Sequence, residues 1–366
     1  LSVQNKVQAS FSYLKGNFTE SNPIVLNENE LLFLNGITSP TSPVTTAKIY
    51  NLKTKKFTDT NATFNIPRTS YSVARINKNQ ILIIGGLPNG HYPITHTAEI
   101  FDLTTKMFRL IGKTNYNHIH INTNIIPLDD GRVFILSNCL PEIYDPKTEK
   151  FTKVGERKEK KFYHWFLGRD DVAVYYTLEP YSVTKAVKLQ DGRILIIGAG
   201  AIKKRKTWDI TYQQNAEIFN PKTNKFEKTG QMERQRFWPT VTLMQDGRVL
   251  VTGGLVEGNG FGVNTAEIYN PKTGVFSRTG NLNQARYNHG AILLSNGKVL
   301  IANGIYAHSE RQKYIRMAEV YNPISGKFSK LFLNSKKKRF ETILQHLSQN
   351  KVLVSDVGYN IEIFKY

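Results

Sequence analysis

The chain has 366 residues, 40% of them hydrophobic and 11% aromatic, which is enough for an extensive core, and no apolar run approaches the length of a membrane span. Its 49 Lys+Arg against 29 Asp+Glu leave a net charge of +20, which favours association with polyanions or anionic surfaces. A lone cysteine, Cys139, excludes an intramolecular disulfide framework and a thiolate zinc cluster, leaving any metal to scattered histidines and carboxylates.

In chain order the dominant feature is a short apolar run that recurs: Leu31 to Gly36, Ile81 to Gly86, Val133 to Asn138, Ile194 to Ala199, Val249 to Gly254, Val299 to Gly304 and Val352 to Val357. Six of these runs are followed by a strand ending in Tyr or Phe, with a second Phe seven residues later: Tyr50 and Phe57, Phe101 and Phe108, Tyr144 and Phe151, Phe219 and Phe226, Tyr269 and Phe276, Tyr321 and Phe328. The residues between are Asn/Asp-Pro-Lys-Thr or close variants, which preset a reversal and offer a local side-chain acceptor. Each pair therefore reads as a hairpin that sends both aromatics into one layer of the core. Repetition at this spacing predicts an all-β, seven-bladed β-propeller, a single domain over residues 1–366.

The last blade runs out at Ile361-Glu362-Ile363-Phe364, one strand short. Phe11-Ser12-Tyr13-Leu14 resembles a fourth strand, so the N-terminal segment is expected to complete the final blade and close the ring. Phe219 lies 75 residues after Tyr144, whereas the other intervals run from 43 to 52, which places an insertion at about 157–181.

The best copies, Ala266-Glu267-Ile268-Tyr269-Asn270-Pro271 and Arg286-Tyr287-Asn288-His289, resemble the kelch repeat, especially its bacterial and galactose-oxidase-like version. The resemblance covers nearly the whole chain. It implies blade number and strand order, while propellers of this kind host adaptors, lectin-like binders and a few enzymes.

Strand parity places the basic runs Arg157 to Lys161, Lys203-Lys204-Arg205-Lys206 and Lys336-Lys337-Lys338-Arg339 in connections of one face. Nearer the axis, Arg68, Arg236, Arg286 and Arg339 share a register at the start of innermost strands and could ring one mouth of the channel. Forked guanidiniums there suit carboxylates, sulfates or phosphates. In the kelch adaptors that the repeats resemble, arginines near this register grip acidic peptides. The competing reading is internal pairing with Glu99, Glu267, Glu319 and Glu362 of the third strands.

These features lead to the expectation of a non-catalytic binding propeller whose basic face engages an acidic peptide, an anionic glycan or a cell surface, with no cofactor. The alternative is a carbohydrate-active enzyme at the channel mouth, oxidase or sialic-acid-epimerase-like, built around His289, Tyr287 and the arginines. Galactose-oxidase copper chemistry requires two histidines, two tyrosines and a cysteine crosslinked to one tyrosine. The corresponding register reads His289 once, with Ser21, Tyr71, Thr123, Thr184, Pro239 and Thr342 elsewhere, and one imidazole does not hold copper. His118 and His120 alternate along a strand as a candidate metal pair, set against ordinary strand positions. Nucleic acid ranks below both readings because no recognised reading module accompanies the charge. An extracytoplasmic setting is expected.

Overall fold

The structure, a computed structural model, describes residues 10–14, 23–34, 46–88, 95–118, 123–137, 140–154, 161–163, 175–177, 185–198, 201–203, 210–212, 215–256, 261–306, 313–334, 339, 342–356 and 361–366. Among them there is no α-helix, and no helix is long and apolar enough to cross a membrane.

The strands build seven four-stranded antiparallel sheets, the blades of a β-propeller. Blade one is Ile24–Asn27, Glu30–Leu34, Thr46–Asn51 and Lys56–Thr63. Blade two is Ser72–Arg75, Gln80–Ile84, Ala98–Asp102 and Met107–Leu110. Blade three is Asn124–Pro127, Val133–Ser137, Leu140–Asp145 and Lys150–Lys153. Blade four is Lys185–Lys188, Ile194–Ile197, Asn215–Asn220 and Lys225–Gln231. Blade five is Thr240–Leu243, Val249–Thr252, Ala266–Asn270 and Val275–Arg278. Blade six is Gly290–Leu293, Val299–Ala302, Met317–Asn322 and Lys327–Asn334.

Blade seven takes Ile343–Ser348, Lys351–Ser355 and Glu362–Lys365 from the end of the chain and Ser10–Tyr13 from its beginning. That first strand runs antiparallel to the last, Ser10 opposite Lys365 and Tyr13 opposite Glu362, so the N-terminal segment completes the final blade as the sequence predicts. The residues group into two compact units, Leu1–Pro67 with Arg236–Tyr366, and Arg68–Gln235. The first holds blades one, five, six and seven; the second holds blades two, three and four.

The repeated aromatic spacing has a direct geometric cause. Every Tyr or Phe ending a third strand stands straight across from the Phe seven residues on, as Tyr269 opposite Phe276 and Tyr321 opposite Phe328. Their rings lie 4.7–5.0 Å apart in all six hairpins. The turn between them is closed by its own first side chain: the Asn270 and Asp145 carboxamide and carboxylate oxygens accept from the Lys272 and Lys147 amides at 3.0 and 2.9 Å.

The core sits between neighbouring blades. Leu250, Ala266 and Ile268 of blade five pack with Val299, Ile301 and Tyr321 of blade six, and blades two and three meet in the same way through Leu82, Ile100, Ile135 and Tyr144. Because each second strand is covered on both faces, its sequence is continuously apolar, with Val249–Thr252 buried throughout.

Candidate functional site

The shared arginine register resolves into a set of buried clamps. Arg68 places one guanidinium nitrogen 2.7 Å from Glu99 Oε1 and donates from another to the Gly85 and Thr97 carbonyls at 3.0 and 2.8 Å. Arg236 repeats this with Glu267, Gly253 and Thr265, and Arg286 with Glu319, Asn303 and Met317. Arg339 pairs with Glu362 at 2.9 Å.

All four arginines are buried. Burial pulls the Arg68 and Arg286 guanidiniums below their usual range, and the facing glutamates oppose that shift. The Arg68, Arg236 and Arg286 clamps each tie together the carbonyls where the second strand ends and the third begins. Internal pairing is therefore the arrangement seen, and these guanidiniums do not face solvent as a ring of anion receptors would.

A fifth member of the register escaped the sequence reading. His118 is buried, and its Nε2 lies 2.5 Å from Glu142 Oε1. It occupies an arginine's place: the Gly86 amide donates to the His118 carbonyl as the Gly254 amide donates to that of Arg286, both at 2.9 Å. The signal was present in Glu142, which stands at the glutamate register of the third strand. His118 is thus held by a carboxylate, while His120 and Cys139 lie outside the described residues.

At the ends of the innermost strands of blades five and six, a polar chain surrounds His289. The imidazole Nε2 is 2.9 Å from both the Thr240 and Thr252 hydroxyls, and those hydroxyls are 2.6 Å apart. His289 is buried, whereas Thr240, the first residue of its strand, is half-exposed. Gly253 makes the room: at φ +60° a Cβ there would fall 2.8 Å from His289 Cε1 and 2.3 Å from the Arg286 carbonyl oxygen.

Tyr287 is also buried. It bridges to Ile305 through both backbone hydrogen bonds, and burial raises its phenol. Its ring faces Trp238 at 5.9 Å. Trp238, Thr240 and Thr252 were not singled out from the sequence, because a lone Trp or Thr in a strand-forming stretch carries no spacing of its own.

Of the remaining residues proposed from sequence, Lys203 ends the short strand Ala201–Lys203, paired with Ile210–Tyr212. Lys204, Arg205, Lys336, Lys337 and Lys338 lie outside the described residues. Within the expected insertion, Lys161–Tyr163 and Tyr175–Thr177 form a two-stranded sheet.

A copper centre needs several donors converging on one point. Among the described residues no three His, Cys, Asp or Glu side chains come together in a way that could hold a metal ion. His289 is the one imidazole at its register, and its Nε2 is already engaged by two hydroxyls. The described residues of this register do not fit a galactose-oxidase type of copper centre.

No protein-family model matches the chain, and no curated protein matches it. Among solved structures it is similar to one titled "Novel fungal alcohol oxidase with catalytic diversity among the AA5 family, in complex with copper", with a TM-score of 0.71 and 12% identity, covering 97% of this chain and 75% of that one. The likeness is one of fold. It corrects the expectation of a non-catalytic propeller engaging an acidic partner: the solved protein that shares the architecture is an oxidase, and the arginines that motivated anion binding are spent inside their own blades.

Proposed function

We propose that the protein is a carbohydrate-active enzyme that works at the inner-strand ends of blades five and six, moving a proton to or from a sugar hydroxyl through Thr240 and His289. The observation that carries this reading is the hydroxyl of half-exposed Thr240 lying 2.9 Å from the Nε2 of buried His289. A hydroxyl can pass a proton between solvent side and imidazole, and an imidazole is the side chain best matched to proton transfer near neutral pH. Similarity of fold to an alcohol oxidase supports a hydroxyl-bearing substrate. Because the described register does not supply copper ligands, the reading is acid–base chemistry of the epimerase kind rather than copper oxidation.

The test is turnover on a panel of neutral and acidic sugars, with metal content measured on the same preparation. His289→Ala is expected to lower kcat by about a hundredfold or more. Thr240→Val should lower it while leaving the melting temperature nearly unchanged. An unaltered rate in His289→Ala, or stoichiometric copper required for turnover, overturns the reading.

A further inference from the structure

We infer that an aromatic band crossing blades five and six, beside His289, is the subsite on which a saccharide ring docks; the inference rests on the proposed function and names its substrate class. Beyond the regular strands, each of these blades continues as a short ladder of bridges, Phe237 to Leu255 to Gly262 in blade five and Tyr287 to Ile305 to Tyr314 in blade six. The ladders are joined where the Gly262 amide donates to the Tyr306 carbonyl at 2.7 Å. Aromatic rings follow this seam: Phe237 against Trp238 at 6.3 Å, Trp238 against Tyr287 at 5.9 Å and Phe261 against Tyr306 at 5.5 Å.

Two features separate this band from core packing. Phe261 is 46% exposed and Phe237, Trp238 and Tyr306 are half-buried, so four of the five residues reach the surface while Tyr287 lies beneath them. Trp238 also has a left-handed backbone, φ 50°, at the register where blades two and six have Ser70 at 51° and Asn288 at 50°. Asparagine tolerates that conformation, whereas a bulky aromatic is an outlier there, and such outliers collect at functional positions. A small polar residue would satisfy the backbone; the indole is kept for its surface.

The polar groups nearby decide what docks. Thr240 lies two residues beyond Trp238 with its hydroxyl in the His289 chain, and the Lys313 ammonium lies 5.8 Å from the Tyr306 ring centre. Aromatic rings with a hydroxyl beside one and an ammonium over another match a sugar ring, which presents C–H faces on one side and hydroxyls at its rim. A purely apolar partner would desolvate the Lys313 ammonium without offering it an acceptor.

The experiment is affinity electrophoresis in gels containing soluble glucans, galactans, xylans or chitosan, followed by calorimetry with the corresponding oligosaccharides. Wild type is expected to be retarded by at least one polysaccharide. Trp238→Asn, which suits the left-handed backbone, should weaken binding by about tenfold or more without lowering the melting temperature, and Phe261→Ser should act likewise from an exposed position. His289→Ala should retain binding while losing turnover, which separates failure of docking from failure of the proton relay. No retardation by any polysaccharide, or full binding by both aromatic variants, overturns the inference.

Discussion

The His118 imidazole meets Glu142 at the place where four other blades set an arginine against a glutamate. The substitution changes what the clamp can do. Both glutamates also receive an asparagine on the second oxygen, Glu142 from the Asn115 amide and side chain at 2.9 and 2.8 Å and Glu319 from those of Asn283 at 2.6 and 2.7 Å, but Arg286 reaches two strand-end carbonyls besides its glutamate and His118 reaches only Glu142. Arg286→Ala should therefore cost about 3–5 kcal/mol, since it takes the counter-charge from a buried carboxylate and a donor from each of two carbonyls. His118→Ala should cost less, about 1–3 kcal/mol, because it removes one contact to Glu142 and takes a donor from no strand-end carbonyl. Chemical denaturation of both variants checks the order.

The aromatic hairpins divide their stabilisation unequally. Tyr269 and Phe101 are buried, while Phe276 is half-exposed and Phe57 is 39% exposed. Phe101→Ala is expected to lose about 3–5 kcal/mol, in the range of large core truncations. Phe57→Ala should lose clearly less, since much of its ring already contacts water. Comparable losses in the two variants would show that an outer ring anchors its hairpin as firmly as an inner one.

These same hairpins show why the fold could be read from sequence and the site only in part. Tyr269 and Phe276 face each other because a fixed turn fixes the register, so the spacing survives in the sequence whatever surrounds it. The pairing of Arg236 with Glu267 was legible for the same reason, both residues holding repeat positions 31 apart. His118 was not, because a different residue type performs the arginine's task after a different loop. Trp238 was invisible for another reason: its left-handed backbone and its place beside Tyr287 arise from the blade's geometry and leave no periodic mark.

Acid should loosen the inner turns of blades three and five. The hydrogen bond from the Arg132 side chain, against partial burial, holds the Asp130 carboxyl below its ordinary value. For Asp246 burial pushes upward, but bonds from the Arg248 side chain and amide prevail and the carboxyl is again lowered. A depressed carboxylate contributes stability above its unfolded value of about 4, and that contribution disappears as pH falls through the folded value. Both pairs are partly exposed, so the effect is small and screened by salt. The melting temperature should drop below about pH 4, and Asp246→Asn should flatten part of that drop. A pH profile unchanged by Asp246→Asn would remove this turn from the acid response.

The strand Ser10–Tyr13 ties the beginning of the chain to its end within blade seven. It supplies the outer edge of blade seven through four residue pairs with Glu362–Lys365, and the Ser12 hydroxyl adds a bond to the Ile363 carbonyl at 3.4 Å. The Leu14 amide extends the pairing to the Ile361 carbonyl at 3.0 Å, and the Leu14 side chain packs on the core shared by Leu31, Phe33, Leu353 and Ile363. Deleting residues 1–14 removes those bonds and leaves Glu362–Lys365 as a bare edge, a template for pairing with another chain. The truncated protein is expected to melt several degrees lower and to associate at concentrations where the full chain does not, read by calorimetry and light scattering. Adding the peptide Ser10-Phe11-Ser12-Tyr13-Leu14 with its flanking residues in trans should partly restore both, because the vacated edge offers the same register. A truncation that melts like the full chain would show that blade seven holds its three C-terminal strands without a fourth.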